Sequence, residues 1–423
     1  MPLLAEPSAV QMLPGERWWG GANFFGTKMP FTEKTSVKID LRNDNYHNQC
    51  ASFLISDKGR AVWCDRQCLI EIEGGSMRIT PDVADATVSV SAAGATLRDA
   101  FRFASKTWFP PSGEIPDLLF FSAPQCNTWI ELTYHQNEKG ILDYAKSMID
   151  NGCPPGILMI DDTWQFDYGT WEFDPRRFKD PKGMCDKLHA MGFKIILWMC
   201  PYVSMDSPAY LRIALGQNPD DVRGYPTKGG FFLEPGTAHP AACRWWNGVS
   251  AFLDFTHPNA CAWFREQLDR LSQDYGVDGF KFDGADLTAY TPVGRLSHKK
   301  DASSGERNSG FVQFARDFPS SEIRNVWRHQ GEPLIVRLHD KRHDWEALER
   351  IVADMIGAGL LGYPYICPDM VGGGEWLTFI PGSPFDPELF VRSAQVHALC
   401  PMMQFSASRG ACSTRRSRRS FAT

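Results

Sequence analysis

The chain has 423 residues, 43% apolar and 22% charged, a composition that supports a large buried core and excludes a disordered polymer. Its net charge of -6 and pI near 6.0 leave no basic stripe for a phosphate backbone, and no apolar run reaches the length of about 18 residues that a membrane span needs. Nucleic acid is therefore not an expected partner, and a small neutral ligand is. The 14 Trp offer flat faces suited to sugar rings, although core packing accounts for most of them. Twelve Cys are scattered, and Cys64 and Cys68 have no second pair at zinc-ligand spacing, so buried free thiols are expected. The N-terminus, Met1 to Glu6, lacks a basic n-region and an apolar h-region, which makes a cytoplasmic location the expectation.

From Met1 to Ala123 short alternating runs, such as Thr35 to Leu41, Ala51 to Ile55 and Ala86 to Val90, are broken by Gly, Asn, Asp and Pro; this is the pattern of a β-sandwich over 1–123. The texture changes at Pro124. Strand-like runs follow at Thr128 to Leu132, Gly156 to Ile160, Lys194 to Cys200, Gly279 to Asp283, Leu334 to Leu338, Gly362 to Ile366 and Met402 to Phe405. Amphipathic stretches lie between them at Lys139 to Asn151, Pro181 to Met191, Pro258 to Tyr275 and Trp345 to Gly359. This βα rhythm over 124–406 predicts a (β/α)8 TIM barrel with its eighth strand missing. After Ser406 periodicity stops, and the stretch Ala407 to Thr423 is an irregular Arg-rich tail with five Arg.

Chemistry in such a barrel sits at the C-terminal ends of the strands. Here Ile160 runs into Asp161, Asp162, Thr163 and Trp164; Phe282 into Asp283; His339 into Asp340; and Pro368 into Asp369. One such Asp is best read as a helix cap, but four are not, and converging carboxylates without a His cluster suit glycoside hydrolysis. Alternation along the strand places Lys281 on the same inward face as Asp283, where an ammonium favours the ionised carboxylate.

The run Asp278-Gly279-Phe280-Lys281-Phe282-Asp283-Gly284-Ala285-Asp286 resembles the nucleophile signature of glycoside hydrolase family 31. Asp161-Asp162-Thr163-Trp164 is similar to that family's second-strand Asp-x-x-Trp, and Asp369-Met370-Val371-Gly372-Gly373 to its Asp-Ile-Gly-Gly run. The resemblance covers Glu16 to Ser406. It implies a retaining α-glycosidase in which Asp283 is the nucleophile and Asp340 the acid/base, with Asp344 as the rival to Asp340 and a helix N-cap as the alternative role for Asp344. It further implies that Asp161, Asp162 and Lys281 meet sugar hydroxyls, that Arg337 holds the ring near the acid/base, and that Trp198 and Trp164 line its apolar face, with packing in the core as the alternative for both tryptophans. Asp369 would form or support the pocket wall. Many members end the last of these strands with Arg-x-His, where this chain has Gln404-Phe405-Ser406. A changed hydroxyl partner there points to a changed sugar, and because the branch of the family that the chain resembles includes α-galactosidase activity, the resemblance implies α-galactoside first, with α-glucoside and α-xyloside next. No metal or organic cofactor is expected, because proton transfer and covalent catalysis supply the chemistry. The alternatives are a barrel α-galactosidase of another family and a truncated, inactive barrel that at most binds carbohydrate.

Overall fold

A computed structural model describes residues 6–214, 241–290, 297–380 and 382–407. Its centre is a parallel sheet of eight strands: Gln125–Asn127 (β1), Ile157–Ile160 (β2), Lys194–Met199 (β3), Gly279–Phe282 (β4), Ser321–Ile323 (β5), Ile335–Arg337 (β6), Ile366–Cys367 (β7) and Gln404–Phe405 (β8). The order β7-β6-β5-β4-β3-β2-β1-β8 is that of a TIM barrel, and a parallel bridge between Met370 and Gln404 joins its two ends. Every residue of β2 and β4 is buried, as expected of strands covered on both faces.

All eight strands are therefore present, and the expected missing strand is corrected. The strand absent from the sequence reading is β5, not one beyond Ser406; the segment Gln404–Phe405 is the eighth. β5 is only three residues long, carries Glu322 at its centre, and is followed by the short strand Val326–Trp327 rather than by a helix. Neither an apolar run nor a βα rhythm marks it. A second correction concerns β1, which ends at Asn127: the Asn127 side chain accepts the Trp129 N–H (2.7 Å), and Trp129–Leu132 turns into one helical turn instead of a strand. The Arg-rich tail lies outside the described residues except for Ala407, which is buried against Ile130, Met370 and Phe390.

The outer helices follow their end signals. Pro258–Tyr275 (α1) starts with Pro at its first position and stops at Gly276, whose φ of 79° is left-handed. Trp345–Leu361 (α2) is capped by Asp344, whose side chain accepts the Ala347 N–H, and stops at Gly362 at φ 103°. Asp344 is thus a helix cap, and Asp340, not Asp344, lines the cavity that holds Asp283. No helix among the described residues is long and apolar enough to cross a membrane.

Ahead of the barrel, two antiparallel sheets enclose a second core. One holds Ser8–Gln11, Ser76–Pro81, Cys68–Glu73 and Val37–Asp40; the other holds Gln49–Ser56, Arg60–Cys64 and Val88–Ala92, with Trp18–Ala22 alongside. All eight residues of Gln49–Ser56 are buried, and alternation explains why. Cys50 and Leu54 face the core between the sheets, whereas Ala51, Phe53 and Ile55 join the core of the barrel. The same strand pairs in parallel with Val326–Trp327, directly after β5. Backbones also meet at Gly26, where a Cβ would lie 2.6 Å from the Ala353 carbonyl oxygen of α2, a contact that only glycine allows.

Candidate active site

β4 delivers Asp283 to the mouth of the barrel. Its approach is fixed by Gly279, where a Cβ would stand 1.7 Å from the Ser320 carbonyl oxygen, so the strand can come this close to the segment entering β5 only without a side chain. Asp283 Oδ1 accepts from Arg324 Nε (2.8 Å) and the Gly284 N–H (2.9 Å), and Oδ2 accepts from Trp198 Nε1 (3.1 Å). Burial alone would raise its pKa. Arg324, then Lys281 and Arg337, with the Trp198 N–H, overcome that and hold the carboxyl below the usual carboxylate range. Asp283 is thus a largely buried carboxylate that accepts from three donors. Lys281 shares its face, as alternation predicts, but its ammonium bonds Asp161 Oδ2 (2.6 Å), forming a buried ion pair.

Asp340 has a different setting. Its side chain is 40% exposed, against 12% for Asp283, and its Oδ1 accepts from Arg337 Nη1 (2.7 Å). Arg337 lies fully inside the barrel and also donates to Asp369 Oδ1 (2.6 Å) and the Leu338 carbonyl (3.0 Å), with Glu322 3.5 Å from its Nε. Asp369 Oδ2 in turn accepts the Lys341 (2.7 Å) and Gly374 (3.0 Å) N–H groups. Burial pushes Asp369 up to about 6 against the pull of Arg337.

A cavity of about 230 Å³ opens over these groups, lined by Asp161, Asp162, Trp198, Lys281, Asp283, Arg324, Arg337 and Asp340, with Trp129, Tyr134, Trp246, Glu375 and Trp376 at its edge. Seven of the expected site residues are brought together here; four are not. Trp164 is fully buried, with its indole N–H donated to the Trp198 carbonyl (2.9 Å) and its ring on Phe173, because Thr163 at φ 70° turns the chain away from the mouth. Asp369 lies behind Arg337, outside the lining. Gln404 is buried beneath the cavity, donating to Glu322 Oε2 (3.0 Å) and Gln125 Oε1 (2.8 Å), and Ser406 Oγ accepts the Ile130 N–H (2.6 Å). Neither of the last two is among the residues that line the cavity.

Arg324 was missed because the strand before it was missed. Trp246 and Trp376 sit in segments without period, so no sequence pattern aims them. Trp246, 48% exposed, is placed by its neighbour Asn247, which donates to Asp162 Oδ2 (2.7 Å) and to the Tyr168 hydroxyl (2.6 Å). Tyr168 also donates to Asp162 Oδ1 (3.0 Å). Burial, with Asp161 alongside, pushes Asp162 up to about 7.

The sign of the resulting pH dependence follows from proton counting. Between the unfolded value near 4 and about 7, folded Asp162 holds a proton that the unfolded chain releases, so its contribution to stability is full at low pH and is lost as pH rises through that window. Asp162→Asn does not titrate. Its melting temperature is expected to gain on the wild type from pH 4 to 7 and to keep a constant offset above that; an offset independent of pH contradicts the assignment.

A closed barrel whose strand ends converge carboxylates on one small cavity defines a barrel hydrolase of the glycosidase type. The profile described as "Glycosyl hydrolases family 31 TIM-barrel domain" matches residues 115–331, about half of the chain. The chain belongs to glycoside hydrolase family 31. It is 29% identical to the myogenesis-regulating glycosidase of Mus musculus over 321 residues, covering 74% of this chain and 43% of that protein. An α-xylosidase of Emericella nidulans is 27% identical over 415 residues, covering 90% and 48%. The chain thus spans about half the length of the curated relatives it matches. Among solved structures, a family 31 α-xylosidase from a soil metagenome complexed with xylose superposes with a TM-score of 0.75 at 18% identity, covering 94% of this chain and 57% of that one. The cycloalternan-forming enzyme of Listeria monocytogenes in complex with a pentasaccharide substrate gives 0.79 at 15% identity, covering 98% and 42%.

Proposed function

We propose that the chain hydrolyses terminal α-linked glycosides with retention of configuration, Asp283 acting as nucleophile and Asp340 as acid/base. The observation that carries this reading is the contrast between the two carboxyls: one largely buried, triply donated and held anionic, the other 40% exposed on a single guanidinium at the mouth of the same cavity. An Asp283 oxygen attacks the anomeric carbon as the bond to the leaving oxygen breaks, and that oxygen takes the proton of Asp340. Water then gives a proton to Asp340 and attacks the same carbon, releasing the sugar and restoring both carboxyl groups. Two inversions leave the configuration unchanged, and the mechanism requires the carboxyls about 5–5.5 Å apart in the complex. Asp161 and Lys281, paired at the cavity, offer an acceptor and a donor to sugar hydroxyls, and Trp198 forms an apolar wall.

The order of sugars changes from the expectation. One of the two grounds for an α-galactoside was a changed hydroxyl partner at Gln404 and Ser406, and both side chains are bonded inside the barrel and absent from the cavity lining. The α-xylosidases and the α-glucosidase among the relatives support α-xyloside or α-glucoside ahead of α-galactoside. The inert-barrel alternative loses its main support with the strands all present. The test is ¹H NMR of the first-formed product from 4-nitrophenyl α-xyloside, α-glucoside and α-galactoside. The α-anomer first is the expected result; the β-anomer first, or no turnover of any of the three by folded protein, contradicts the proposal.

A further inference from the structure

The β5–β6 ladder stops one rung below the site. Glu322 pairs with Ile335 and Ile323 with Val336, and there the ladder ends, before Arg324 and Arg337. At the next rung the side-chain amide of Gln49 takes over. Its Nε2 donates to the carbonyls of both Arg324 (2.6 Å) and Arg337 (2.8 Å), and its Oε1 is held by Asn23 Nδ2 (2.6 Å). These two arginines are the partners of Asp283 and Asp340. Next to it, Asn48 Oδ1 accepts the His339 N–H (2.7 Å), and Asn48 Nδ2 donates to His339 Nδ1 (2.7 Å); His339 immediately precedes Asp340. Gln49 and Asn48 are both fully buried, and the Val326↔Gln49 pairing fixes their backbone.

Resting on the reading of Asp283 and Asp340 above, we propose that Asn48 and Gln49 are positioning residues, supplied by the N-terminal sheets, that set the place of the acid/base relative to the nucleophile. These two converge on the three residues that flank or clamp the reacting carboxyls. Their loss falls unevenly: Asp283 keeps Trp198, the Gly284 N–H and the Arg324 side chain, whereas Asp340 depends on Arg337 and on the course of its own backbone.

The test compares Asn48→Ala and the near-isosteric Gln49→Met with wild type, Asp340→Ala and Asp283→Ala. Each is assayed on methyl α-glucoside, whose leaving group needs a proton, and on α-glucosyl fluoride, whose leaving group needs little help, with the xylose pair alongside. Because the readout is a ratio within one sample, a partly unfolded variant does not mimic it. In both amide variants kcat/KM on the methyl glycoside, which reports the first displacement alone, is expected to fall roughly 10- to 100-fold, while kcat/KM on the fluoride is spared, as in a weaker Asp340→Ala. Equal losses on both substrates overturn the proposal. Retained turnover in Asp283→Ala overturns the underlying reading instead. Should wild type turn over neither sugar, amide hydrogen exchange of the segment from Leu338 to Lys341 still decides: in Asn48→Ala exchange about 10-fold or more faster is expected to reach the Lys341 amide, which Asn48 does not touch, and a change confined to the His339 amide overturns the proposal.

Discussion

Asp283→Asn is expected to lower turnover of α-glycosides by on the order of 10⁴-fold, the scale seen when a nucleophile is removed from a covalent mechanism. The amide keeps the shape and one acceptor for Arg324, so the barrel stays folded, but it cannot form or release the glycosyl ester. Asn at this site also removes a stabilising charge. Because Arg324, Lys281 and Arg337 hold the folded carboxyl below its unfolded value despite burial, the wild type's advantage is complete above an unfolded pKa near 4 and declines as pH falls below it. Activity is read with the aryl glycosides, and stability by urea unfolding at pH 7 and at pH 3. Residual turnover within about tenfold of wild type would assign the nucleophile elsewhere.

Arg337→Met is expected to carry the largest cost in stability. The guanidinium is the shared cation of Asp369, Glu322 and Asp340, and the first two are fully buried. Removing one side of a buried ion pair leaves uncompensated charge, at a cost of about 3–5 kcal/mol. Both carboxyls already sit above their ordinary values through burial, Asp369 at about 6, and losing the cation moves them further up. Raised carboxyls cost stability as pH rises past the unfolded value, so the deficit of the variant should be small near pH 4 and grow toward pH 8. Urea midpoints at those two values check this. Equal midpoints for variant and wild type at pH 8 would mean that Arg337 is not the cation on which the barrel interior rests.

The parts of this molecule legible from sequence are those written in local physics. Continuous apolar runs such as Ile157–Ile160, and the Pro and Gly bounding Pro258–Tyr275, specify their elements without help from the rest of the chain. The carboxylates at the ends of β2, β4 and β6 are visible for the same reason, since a strand end followed by Asp is a local feature. β5 is not local: three residues around a buried Glu322 make a strand only because β4 and β6 flank it and Gln49–Ser56 pairs with the chain just beyond it. Arg324 was hidden with it. Spacing leaves Trp164 between the cavity and the core, and the left-handed residue at Thr163 accompanies its turn into the core; Trp246 reaches the cavity rim through Asn247 and Asp162, a tertiary contact with no trace in spacing. Gln404 and Ser406 occupy the expected strand end but are spent inside the barrel, where strand number eight closes on Met370.

The most direct measurement of the central claim is covalent trapping. The protein is incubated with a 5-fluoro-α-glycosyl fluoride of glucose or xylose, whose electron-poor ring slows the second displacement, then quenched, weighed intact and mapped by peptide mass spectrometry. A single glycosyl adduct on the peptide containing Phe282-Asp283-Gly284, attached to Asp283 and absent from Asp283→Asn, is the predicted result. An adduct on Asp340, or turnover without any adduct and with inverted product, would contradict the assignment of Asp283 as nucleophile.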